Sequence, residues 1–92
     1  MPYIEVKNKK GTSEKDPQEG YVSWLDFWES KKRKQATICE VKSCNGKAEL
    51  GGHVIKAGEG AKEYILPMCS KCNNKPDDEV FEAWDGDLVS VK

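Results

Sequence analysis

The apolar residues of this chain fall in short clusters separated by polar stretches, and the period inside each cluster predicts an element. Tyr3, Ile4 and Val6 predict a short opening strand. Residues 7–20 are polar, rich in Lys, Asn, Gly, Ser, Asp and Pro, and read as a mobile loop. The pattern changes at Ser23. Trp24, Phe27 and Trp28 recur at i, i+3 and i+4 on one helical face, and Ser23 with Asp26 three residues later supplies an N-cap. A short amphipathic helix over residues 23–34 follows. In a small domain three large rings supply much of the available burial, so they are assigned to the core rather than to a platform for stacking bases.

Residues 36–38 form a short extended segment, and residues 47–56 alternate as a strand does. Gly51 and Gly52 inside that strand predict a bulge or a close backbone approach. A glycine-rich turn over residues 57–62 leads to a second strand, 63–68, and the two strands predict an antiparallel hairpin. Beyond Cys72 about one turn of helix fits before Pro76. Residues 80–84 and 87–91, joined by Asp85-Gly86, predict a C-terminal hairpin with a type I′ turn. The fold class is α+β.

Length and charge narrow the picture. A chain of 92 residues is one domain, read as an N-terminal part over 1–35, a core over 36–76 and a C-terminal part over 77–92. At this size roughly 60 to 65% of the unfolded surface is buried on folding, so the core is thin. With 34% charged residues and a net charge of -1, the chain lacks the overall basic balance of a strong nucleic-acid binder, and binding of that kind requires a local patch. Lys31, Lys32, Arg33 and Lys34, with Lys42, Lys47 and Lys71 beyond them, read either as that patch or, for the first four, as cations favoured at the negative end of the helix dipole. The start has no apolar signal core and no run approaches a membrane span, so a soluble, cytoplasmic protein is expected.

The four cysteines carry the clearest chemistry. Cys39-x4-Cys44 and Cys69-x2-Cys72 lie in turn-forming segments that can each aim two thiolates at one ion, which predicts a single structural zinc with a closed sulfur shell. Disulfides are disfavoured without an export signal, and iron is the alternative metal.

A first knuckle, a hairpin whose first strand carries Gly52-His53-Val54, and a second knuckle followed by Asn73 resembles the treble-clef zinc fingers, and within them the HNH endonucleases with their ββα-metal core. The resemblance covers residues 39–75. It implies that His53 stands where the family has a general base and that Asn73 matches the last motif position. Gly52 stands where the family has an acidic metal ligand, and Tyr64 where it has a bracing asparagine. Loss of that carboxylate removes the main attraction for a hard catalytic cation. The expected function is therefore a non-catalytic, HNH-like binding module for nucleic acid or protein. The alternatives are an active endonuclease using His53, Asn73 and a second divalent metal, and a module that binds only protein. His53 also reads as a group hydrogen-bonded to a cysteine sulfur or a carbonyl, or as a metal ligand itself, and Asn73 as a cap.

Overall fold

The computed structural model describes residues 3–9, 20–42, 44, 46–58, 62–76 and 78–91. Its elements are β1 (Tyr3–Asn8), α1 (Trp24–Lys32), β2 (Leu50–Lys56), β3 (Glu63–Met68), the one-turn helix α2 (Ser70–Asn73), β4 (Phe81–Trp84) and β5 (Val89–Ser90), with a 3-10 turn over Asp85–Asp87. The strands form one sheet in the order β4-β1-β2-β3-β5, and each neighbouring pair is antiparallel.

Local chemistry sets α1 where the apolar period places it. Ser23 is extended and its Oγ accepts from the Asp26 N–H at 3.0 Å, while the Asp26 carboxylate accepts from the Val22 N–H at 3.3 Å. Both side chains fix the entry to the helix. At the other end Arg33 turns left-handed, with φ 58, and its N–H returns to the Glu29 carbonyl.

Alternation along the strands sends apolar groups to both faces of the sheet. Val6, Val54, Tyr64, Leu66, Met68, Phe81 and Ala83 pack with Cys39, Val41, Cys69 and Cys72 on one side. Ile65 points the other way, into Phe27 and Trp28 of α1, with Trp24, Tyr21 and Val89 around them. Phe27 and Trp28 are fully buried and Trp24 is half-buried, so the aromatic face of the helix is core, as its spacing predicts.

The sheet is curled. Residues 85–88 join strands at opposite ends of the order, a separation of roughly 19 Å if the sheet were flat. Their span reaches at most about 18 Å fully extended, and three of them are coiled into the 3-10 turn. Residues 39–42 close the gap: the Glu40 N–H donates to Pro67 O of β3 at 2.9 Å and the Lys42 N–H to Glu82 O of β4 at 2.8 Å. Val41 forms an antiparallel bridge to Ala83 between them. The segment that carries the first cysteine thus ties the two sides of the sheet together.

The predicted C-terminal hairpin does not form, because β4 pairs with β1 and β5 with β3. Tyr3 stacks on Trp84 with ring centroids 4.3 Å apart, and Val6 lies opposite Phe81. These long-range apolar pairs outweigh the local turn preference of Asp85-Gly86. That dipeptide sits instead in the 3-10 turn against α1, where the Trp28 Nε1–H donates to Asp87 O at 2.7 Å and the Lys32 ammonium to Gly86 O.

The polar stretch also begins later than its composition predicts, since Lys7 and Asn8 pair with Ile55 and Val54 as part of β1. Residues 10–19 of the expected loop, and 59–61 of the expected turn, lie outside the described residues. The strand expected from residue 47 starts at Leu50, with Lys47 forming an isolated bridge to Ile38. Among the described residues no helix is long and apolar enough to cross a membrane.

Candidate metal centre and the cavity beside it

Each cysteine pair is held by its own turn. In the first, the Cys39 N–H donates to Gly46 O at 2.9 Å and the Cys44 N–H to Val41 O at 3.0 Å. In the second, Cys69 precedes α2 as its N-cap, and its Sγ accepts from the Cys72 N–H at 3.5 Å. The four sulfurs lie within 4.8 Å of one another, and Cys44 Sγ is 3.8 Å from Cys69 Sγ. All four cysteines are free thiols. A separation of 3.8 Å is far beyond a bonded S–S distance of about 2.05 Å. It matches the edge of a tetrahedron with metal–sulfur bonds of about 2.3 Å. The four cysteines are positioned to bind one metal ion.

Their acidities differ with surroundings. The Cys72 N–H donating to its sulfur brings the Cys69 thiol down to about 7, whereas burial pushes the Cys39 and Cys72 thiols up. A metal cation must displace the protons of those buried thiols, so its affinity rises with pH. His53 is not part of this cluster.

Two carboxylates flank the centre. Glu49 accepts from the N–H and hydroxyl of Ser70 at 2.7 and 2.8 Å, which holds its carboxyl below the usual range and fastens the segment just before β2 to the start of α2. Glu40, beside Cys39, behaves in the opposite sense: burial first, then its hydrogen bond and like charge with Asp87, push it up to about 7, against a smaller pull from Lys34. A raised folded pKa means that this contribution to stability is present below pH ~4.3 and is lost as pH rises through about 7. Glu40→Gln, a mimic of the protonated form, is therefore expected to be more stable than the parent at pH 8, by on the order of 1 kcal/mol after solvent screening. The difference should narrow at pH 5 and vanish only below pH ~4.3; thermal melting at pH 8 and pH 5 measures it.

A cavity of about 590 Å³ lies beside the second knuckle, and His53, Asn73, Asn8, Lys9, Lys75 and Trp24 are among its walls. His53 is 4% exposed and meets Trp24 edge to face, with centroids 4.6 Å apart. It therefore faces α1, not the sulfurs. Asn73 does not cap α2, a role taken by Cys69. Its Oδ1 instead abuts Gly52, where an added Cβ would come within 2.9 Å of that oxygen and collide with Met68 Sδ. Gly51 faces α1 just as closely, and both glycines mark close approach, not a bulge. His53 and Asn73, paired in the sequence by resemblance, thus wall the same cavity.

The basic run lies at the far end of α1 from this cavity. Lys31 and Lys34 lie over the Phe27 and Trp28 rings at 5.5 and 5.7 Å, and Lys34 is 3.9 Å from Asp87. Lys42 sits over Tyr3 at 4.7 Å and 3.3 Å from Glu82. These cations pack on the domain's own rings and acids, while Arg33 ends the helix.

Sequence reasoning missed Asn8 and Lys9. The available signal was period: Ile4, Val6 and Asn8 share one strand face, so a buried polar group falls where the next apolar residue is due. No protein-family model, curated protein or solved structure matches this chain.

Proposed function

We propose that the four cysteines hold one structural zinc and that the domain is an HNH-like module which binds a nucleic-acid phosphate in the cavity without cleaving it. Four soft thiolates within 4.8 Å of one another suit zinc and leave no open position for water, so its contribution is to fold the chain. The order of parts supports the family reading: a first knuckle, the β2–β3 hairpin with His53 in its leading strand, then α2 with Asn73 after the fourth cysteine.

The observation that carries the proposal is the convergence of His53 and Asn73 with Lys9 and Lys75 on one cavity. Imidazole and amide groups can hydrogen-bond phosphate oxygens, and the two ammonium groups supply charge. Lys75 exchanges its partly exposed ion pair with Glu79, at 3.0 Å, for the phosphate. Catalysis is disfavoured because Gly52 has no space for the family's carboxylate and Glu49 is engaged in capping α2. Among the described residues that line the cavity, Glu49 is the one carboxylate that could attract a hard cation.

Titrating labelled single-stranded DNA at low salt tests the binding. With two lysines engaged, the slope of log K against log salt is expected near −1.4, and Lys9→Ala or Lys75→Ala should each make it shallower by about 0.7. Absence of binding at low salt would leave a protein partner as the reading. The enclosure of His53 in the same cavity favours one second reading, a metal-dependent nuclease. Plasmid nicking with magnesium or manganese that disappears in His53→Ala while the zinc stays bound would establish it; no nicking with any divalent ion rejects it.

A further inference from the structure

Asn8 ends β1 with only 7% of its surface exposed, yet it reaches across to α2. Its Nδ2 donates to Cys72 O at 3.0 Å, Lys75 O at 3.1 Å and Asn73 O at 3.4 Å. These are carbonyls at the end of α2 and the turn after it, of which the Cys72 oxygen also accepts from the Lys75 N–H at 3.2 Å. An amide nitrogen carries two hydrogens, so one of the three carbonyls shares a donor with another. The Oδ1 of the same amide is buried with no hydrogen-bond partner. Flipping the amide would aim that oxygen at the carbonyls, so the network fixes its orientation. A leftover buried acceptor is unfavourable, and its presence here marks a position where the donor is required. The backbone reaches the other cavity wall: Asn8 pairs with Val54 and the Lys9 N–H donates to His53 O at 3.0 Å.

We propose that Asn8 is a positioning residue for the second metal knuckle. By gathering the carbonyls of Cys72, Asn73 and Lys75 it fixes the peptide that follows the fourth cysteine, and so holds the Cys72 sulfur in the metal cluster and Asn73 on the cavity wall. A strand more than sixty residues away in sequence thereby controls how firmly the metal is kept. The inference rests on reading the four cysteines as a zinc site.

Chelator-driven zinc release from the folded full chain tests it, measured well below each variant's melting midpoint. Asn8→Asp keeps the size but sets a carboxylate against three carbonyls. Asn8→Ser retains one donor and serves if the aspartate variant fails to fold. Glu5→Gly is the control, since it weakens the same strand at an exposed position outside the core that holds the cysteines. Asn8→Ser or Asn8→Asp is expected to release zinc about ten- to a hundredfold faster than the parent. Amide exchange should rise at Asn73, Asn74 and Lys75 while β3 stays protected, and Glu5→Gly should release zinc near the parental rate. Parental release from Asn8→Ser overturns the proposal, and so does equal acceleration in Glu5→Gly. A parent chain that purifies without metal overturns both this inference and the zinc reading beneath it.

Discussion

Stripping the metal with a strong chelator is expected to unfold the domain. The cysteines are part of its main core: Cys39, Cys69 and Cys72 are buried among Val6, Leu66 and Met68. The first knuckle is also the segment that joins β3 to β4 and keeps the sheet curled. With no ion the four thiols share no bonds, and residues 39–42 are left with the Glu40 and Lys42 backbone hydrogen bonds and the Val41 bridge to span the gap. A structural zinc of this kind supplies about 10 kcal/mol, comparable with the whole stability of a typical domain. Far-ultraviolet circular dichroism should therefore collapse on chelation and return on adding zinc, and Cys72→Ala should fail to fold even with zinc present. A chelated protein that keeps its spectrum would show that the apolar core alone suffices.

The second large effect comes from one methyl group. Gly51 lies where β2 passes under the start of α1, and a Cβ there would stand 2.7 Å from the Trp24 carbonyl carbon and 2.8 Å from the Leu25 nitrogen. Both are backbone atoms, so neither can rotate away. Gly51→Ala must lift the helix from the sheet and disturb the packing of Phe27, Trp28 and Ile65. We expect a loss of about 3 kcal/mol, or a fall of roughly 15 °C in melting midpoint. Gly86→Ala is the natural control, since nothing lies within 4 Å of its added Cβ. If both variants melt alike, the contact between α1 and β2 is looser than described. Gly51, Trp24 and Leu25 also line the cavity, so the substitution should weaken phosphate binding as well.

The parts of this molecule that local chemistry determines were legible in the sequence. The i, i+3, i+4 rings and the Ser23 cap mark α1, and alternation marks β2 and β3, whose register runs from Leu50–Met68 to Ile55–Glu63. The cysteine spacing marks the metal centre, because each pair is closed by a turn of a few residues. What distant residues determine was not legible. Asp85-Gly86 carries a strong hairpin signal, but nothing in its own neighbourhood records that Tyr3 competes for Trp84 and Ile65 for Val89. Asn8 reads as the start of a polar loop until β1 is seen beside α2. The sequence shows the charge of the run from Lys31 to Lys34, but not the Phe27 and Trp28 rings or the Asp87 carboxylate that lie beside Lys31 and Lys34.

Four sulfurs on one zinc ion, with His53 apart from it, define the proposed centre. X-ray absorption at the zinc edge, combined with metal content of the purified protein, reads that shell. One zinc per chain with four sulfur neighbours at about 2.3 Å and no nitrogen is expected. A shell of three sulfurs and one nitrogen would place His53 on the metal and remove it from the cavity wall. A chain that holds no metal and stays folded would rule out the zinc centre altogether.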